Sequence, residues 1–225
     1  MKNNNVKCAK IIKNLNSLSH LIKNIEFNYN IFCSAYYHRE SYKDMEYKDV
    51  ECALNNFILT ASILKQHIKS FEKDIDITFI KTKKYQKVMS ILFDNEQYLI
   101  LLGLRNYLQH LFHIKICLGN SICENSDQED LYITNYTLLK HQDLHLNKPE
   151  NIALKNFFGK HIGLSIILFV LENMDLIDKF YKRYDKVIHE HYNSILSKYN
   201  KEKDVDQYAL DLGCIYRENI SSFIN

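Results

Sequence analysis

The residues best suited to chemistry lie in one short run, Arg105-Asn106-Tyr107-Leu108-Gln109-His110. An arginine near a histidine suits phosphodiester cleavage, because guanidinium stabilises charge on the phosphorane and imidazole moves protons near neutral pH. RNA would supply its own nucleophile, the 2′-hydroxyl, so this chemistry needs no metal and no cofactor. On an ideal helix, with Arg105 at zero, Gln109 falls at about 40°, Asn106 at about 100° and His110 at about 140°. Leu104, Tyr107, Leu108 and Leu111 fall between about 200° and 300°, an apolar side that can bury itself behind the polar arc. Residues five apart diverge, and the run holds one histidine. A two-fold pair of chains would bring two Arg105 and two His110 into one cleft. The same spacing also fits a plain helix end, with His110 capping carbonyls and Arg105 paired to a carboxylate.

Arg105, Asn106 and His110 are thus the candidate catalytic residues, with Gln109 on the same arc as a substrate contact. Lys84 and Lys87, in a cluster with Lys81 and Lys83, could contact RNA phosphates or simply form a solvated helix face. Glu51, Asn55 and Asn56 could support the motif from a neighbouring helix, Asn56 as a substrate contact. Arg183 and His189 repeat the residue types six apart, about 240° round a helix, and are read as coincidence. His141 with His145 and His189 with His191 have short spacings, but no carboxylate pattern completes a metal site, and none is assigned.

The elements that must carry these residues are helical. The chain has 225 residues, is 46% hydrophobic, and holds only five glycines and one proline, too few turn residues for an all-β protein. It reads as a single domain, residues 1–225. The net charge is +2, from 29 basic and 27 acidic residues, so any nucleic-acid surface must be local. Only four arginines occur, Arg39, Arg105, Arg183 and Arg217. Cys8, Cys33, Cys52, Cys117, Cys123 and Cys214 form no C-x-x-C pair and read as buried free thiols of a reducing compartment. Residues 1–14 have no apolar core followed by a small-residue cleavage site, which argues against secretion and makes the cytoplasm the expected location. The most apolar stretch, Ile162 to Leu171, is half of what a membrane span needs and reads as a buried core helix.

Apolar residues at Val6, Ile11, Ile12, Leu15, Leu18, Leu21, Ile22 and Ile25 predict one or two helices in the first forty residues, with a joint at Ser41 to Lys43. A long helix is expected from Met45 to Phe71 and another from Asp74 to Phe93. Asp94 with Gln97 fits a capping box, opening the motif helix over about Asn95 to His110. Alternating Ile114, Ile116 and Leu118, a polar stretch, and Leu131 to Leu138 predict a β-hairpin insert at about residues 113–139. Helix resumes at Pro149 and runs to about Asn200, with a break near Glu172 to Asp175, and Val205 to Phe223 closes the chain as a last helix.

Phe93-Asp94-Asn95, followed by Leu102-Gly-Leu-Arg105-Asn106-Tyr107-Leu108-Gln109-His110, resembles bacterial HEPN-like proteins, whose motif is an arginine, a polar residue, then a histidine. Glu51-Cys-Ala-Leu-Asn55-Asn56-Phe57 through His67 resembles the long helix that precedes the motif there, and the looser similarity covers about residues 45–200. The resemblance implies a mainly α, HEPN-like helical bundle with a small β-hairpin insert, acting as a homodimer. It also implies a metal-independent RNA-cleaving site at the dimer interface, lined by Arg105 and His110, with Asn106 as the polar residue. Such proteins act as toxins or antiviral-defence effectors, often with a partner protein of a toxin–antitoxin or defence system. Toxins of this family silenced by tyrosine adenylylation carry His-x-Tyr, whereas this chain has His110-Leu111-Phe112, which puts that regulation in doubt. Some HEPN domains are non-catalytic binding or assembly modules, the alternative reading.

Overall fold

The structure, a computed structural model, describes residues 2–38, 47–111, 114–120, 129–134 and 148–202, with side chains for all of these except 2–8, 110–111, 120, 129 and 194–202. Seven helices and three strands occur among the described residues, so the chain is mainly α with a small antiparallel sheet. In chain order they are α1 (Lys2–Tyr37), α2 (Lys48–Glu72), α3 (Ile77–Ile80), α4 (Lys83–Phe93), α5 (Glu96–Leu111), β1 (Cys117–Asn120), β2 (Glu129–Thr134), α6 (Pro149–Lys160), β3 (Gly163–Ser165) and α7 (Ile166–Glu202). No described helix is long and apolar enough to cross a membrane.

The first apolar stripe forms one helix, α1, which buries Ile11, Leu15, Leu18, Ile22, Ile25 and Phe32. It packs antiparallel to α2, as two polar pairs show: Asn14 Nδ2 donates to Asp74 Oδ2 at 2.9 Å, and Asn28 Nδ2 to Thr60 Oγ1 at 3.1 Å. Helix α2 supplies Val50, Leu54, Phe57, Ile58, Leu64 and Ile68 to the same core. Burial of each such side chain contributes about 1.5–3 kcal/mol, so this stripe outweighs any single polar contact in the molecule. Helix α7 lies along α1 and α4, and α5 fits against α2, α6 and α7.

Four local expectations are corrected. The helix predicted over Asp74 to Phe93 is split in two, because Thr82 adopts extended backbone angles and its hydroxyl accepts the Tyr85 amide at 3.3 Å, starting α4 afresh. The cap of the motif helix is Asn95 rather than Asp94: the Asn95 side-chain oxygen accepts the Gln97 amide at 2.9 Å, while Asp94 ends α4. The apolar stretch from Ile162 is not one core helix. Gly163–Ser165 form β3, which pairs with β2 through Tyr132 to Thr134, making three antiparallel strands where a hairpin was expected. Ile162 is 80% exposed, and Leu168 and Leu171 are exposed as well. The break between the late helices therefore falls at His161 and β3. Across Glu172 to Asp175 α7 is continuous, and ion pairs from Lys179 to Asp175 and Lys182 to Asp178 brace its outer face. The joint at Ser41 to Lys43 and the closing helix at Val205 to Phe223 lie outside the described residues.

A carboxylate of β2 helps tie the sheet to the bundle. Asp130 of β2 accepts the Tyr36 hydroxyl from the end of α1, the Ser165 hydroxyl at 2.7 Å and the Leu131 amide at 2.7 Å. Ser165 sits just ahead of α7, so this contact joins β2, β3 and the ends of two long helices.

Candidate functional site

Helix α5 is buried all round over its middle turn, from Ile100 to Leu104. Tyr98, Ile100, Leu101, Leu102, Gly103 and Leu104 are all inaccessible, and Tyr107 and Leu108 continue the buried side. The polar strip emerges only in the last turns, with Arg105 and Asn106 half-buried and Gln109 exposed. Such a helix cannot rotate without exposing apolar surface, so core packing fixes the strip's direction.

Helix α6 reaches the strip from the side. Pro149 occupies its first turn, where a missing N–H costs nothing, and Lys148 before it is extended. The Glu150 carbonyl lies 2.7 Å from where a Cβ on residue 103 would sit, so only glycine there lets α6 come this close. Two side chains secure the approach. Lys65 of α2 pairs with the Glu150 carboxylate at 3.7 Å, both largely shielded. Asn106 Nδ2 donates to Asn151 Oδ1 at 3.1 Å, and Asn151 is only 5% exposed.

Arg105 is held by neutral groups. Its Nη1 donates to Gln109 Oε1 at 2.6 Å and, more weakly, to Asn106 Oδ1 at 3.4 Å. Among the described residues it has no ion pair, and the Glu150 carboxylate of α6 pairs with Lys65. A guanidinium bound only to amide oxygens keeps its full charge for an incoming anion. Burial pushes the Tyr107 hydroxyl above its ordinary pKa, which keeps it neutral behind the strip. His110 belongs to the last turn of α5, and its side chain is outside the described residues.

No family model, curated protein or solved structure matches this chain. The structure brings Arg105, Asn106 and Gln109 together as the helical arc predicts. Lys84 and Lys87 are exposed on α4, and Lys84 is paired with Glu190 of α7. That hydrogen bond from Lys84 holds the Glu190 carboxyl below its ordinary range. Asn56 is exposed and lies about 180° round α2 from Lys65, the residue of that helix that faces α6. Among the described residues no hydrogen bond or ion pair joins Lys84, Lys87 or Asn56 to the strip.

The two other α2 candidates have separate roles. Glu51 Oε1 accepts the Ile116 amide at 3.1 Å, fastening the chain that leaves α5, while the Asn55 side-chain oxygen is buried without a partner among the described residues. Sequence reasoning missed Gly103, Glu150, Asn151 and Lys65 as members of the site. Pro149 marked the start of α6 but not what α6 touches. The cysteine reading also changes: Cys33, Cys52 and Cys117 are free thiols, yet Cys52 and Cys117 are exposed. Arg183 is exposed, and His189 lies 3.4 Å from Asp185 on its own helix.

Proposed function

We propose that this protein is a HEPN-type, metal-independent endoribonuclease that works as a homodimer, a toxin or antiviral-defence effector. The observation that carries the reading is Arg105. It is a half-buried arginine on a rigid helix, bound only by amide oxygens and unpaired with any carboxylate among the described residues. In this mechanism the 2′-oxygen bonds to phosphorus as the bond to the 5′-oxygen breaks, leaving a 2′,3′-cyclic phosphate and a free 5′-hydroxyl. His110 from one copy takes the 2′-proton and His110 from the other protonates the leaving oxygen, while Arg105 stabilises the charged phosphorane. Two copies are needed because each motif offers a single histidine. Lys84 and Lys87 are proposed as outlying phosphate contacts of a longer RNA.

Purified protein incubated in EDTA with tRNA and total RNA tests this reading. Wild-type protein is expected to cleave, producing cyclic-phosphate ends, while Arg105→Ala and His110→Ala proteins do not. Cleavage that persists undiminished in both variants overturns it. Sedimentation or native mass measurement of the same samples should find a dimer.

A further inference from the structure

The orientation of the Asn106 amide is decided by its neighbours. Arginine can only donate, so the Asn106 atom facing Arg105 Nη1 is oxygen, and its nitrogen is then turned to Asn151 Oδ1. Arg105 Nη1 thus donates to two amide oxygens, those of Gln109 and Asn106. The other edge of the guanidinium, formed by Nε and Nη2, has no acceptor among the described residues. That edge carries two parallel N–H groups at the spacing of two phosphate oxygens.

We propose that Asn151 is a positioning residue for a phosphate-binding fork on Arg105. Asn151 holds Asn106, Asn106 and Gln109 hold Nη1, and the Nε–Nη2 edge is left pre-set for a phosphodiester. The identity of the ligand rests on the ribonuclease reading above, but the fork does not. Asn106 then contributes its oxygen to Arg105 and one amide hydrogen to Asn151, which places it in the chain of contacts that holds the arginine. The chain of contacts depends on α6 lying close to α5, which Gly103 permits and the Lys65 pair with Glu150 secures.

The small number of arginines makes the fork measurable. Phenylglyoxal labels exposed guanidinium groups, and mass spectrometry resolves Arg105 from Arg183, an exposed internal control. In the full-length protein, inorganic phosphate should slow labelling of Arg105 more than that of Arg183. Asn151→Ala should speed Arg105 labelling about fivefold, the equivalent of one lost hydrogen bond, and weaken phosphate protection by a similar factor. Asn106→Ala breaks the same chain from its half-exposed member and should give the same result even if Asn151→Ala folds poorly. The double variant should match either single one, whereas independent packing defects would add.

Arg105 labelling and phosphate protection that stay at wild-type levels in both single variants overturn the proposal. RNA cleavage is the second readout, and here Asn151→Ala should raise KM and lower kcat/KM about fivefold, in step with the weaker phosphate protection. If the wild type cleaves no RNA but Arg105 labelling responds as described, the ribonuclease reading fails and the fork survives. If cleavage occurs and its kcat/KM is unchanged by Asn151→Ala, the fork fails and the ribonuclease reading survives.

Discussion

Replacing Gly103 by alanine tests the geometry of the site without touching any polar group. A Cβ there would sit 2.7 Å from the Glu150 carbonyl oxygen and 2.9 Å from Leu154 Cβ, where ordinary contact begins at 3.4 Å. Helix α6 must therefore retreat by about 0.7 Å to restore normal separation. Overpacking of this kind costs about 1–3 kcal/mol. The same retreat would stretch the Asn106–Asn151 bond from 3.1 Å. At about 3.8 Å it is no longer a hydrogen bond, which adds about 1 kcal/mol. Alanine's better helix propensity returns about 1 kcal/mol. The net loss is about 1–3 kcal/mol, a fall in Tm of roughly 2–12 °C for a chain of this size.

Gly159, on the same helix α6, provides the contrast. Nothing lies within 4 Å of a Cβ built there, so Gly159→Ala should raise Tm slightly through propensity alone. Calorimetry or circular dichroism of the two variants decides the matter. If Gly103→Ala matches or exceeds the wild type in Tm, α5 and α6 do not meet as described, and the account of the strip collapses with them.

Three further outcomes follow from features outside the site. Burial pushes the Tyr192 hydroxyl up to about 12 and drives those of Tyr85, Tyr98 and Tyr184 upward too. Their contribution to stability is complete below pH 10, where unfolded tyrosine is still neutral, and is lost as pH rises through the folded values. Alkaline unfolding should therefore set in above about pH 10, with a late, cooperative rise in tyrosinate absorbance; four groups titrating gradually in folded protein would contradict this. Asn173 is fully buried with its side-chain oxygen unpartnered and its nitrogen on the Phe169 carbonyl. Asn173→Leu should stabilise by about 1 kcal/mol in denaturant titration, and destabilisation would mean that the oxygen is satisfied after all. Tyr36→Phe removes one of three donors from Asp130. It should cost about 1.5 kcal/mol, and an unchanged midpoint would show that the sheet does not depend on that hydroxyl.

The helices were legible because their apolar residues recur at helical spacing, and the arc of Arg105, Asn106 and Gln109 followed from rotation per residue alone. Position 94 against 95 was not legible: Asp and Asn both cap well, and the choice depended on where α4 ended. The strand at Gly163 was hidden inside an apolar run that fits either a helix or a strand, and only the exposed edge of β2 decided it. Asn151 was invisible for a different reason. It stands 45 residues from Asn106 along the chain, and its partner is chosen by packing at Gly103, a contact without local pattern. A glycine in an otherwise unbroken apolar helix is the signal that could have pointed to a close neighbour.

Helix α5 is fastened to α2 at both of its ends. Near its start the Tyr98 hydroxyl donates to the Ala61 carbonyl at 3.1 Å, and just beyond its end the Ile116 amide is held by Glu51. A segment anchored in this way frays from neither terminus, so its amides between Tyr98 and Leu108 should exchange with solvent only when the whole bundle opens. The strip is thus carried by a segment expected to open only with the bundle as a whole. Local melting of the motif helix is then too costly to serve as a switch. Under the proposed ribonuclease reading, control of this site would act on what approaches it from outside, such as the arrival or departure of a second copy, a partner protein or RNA.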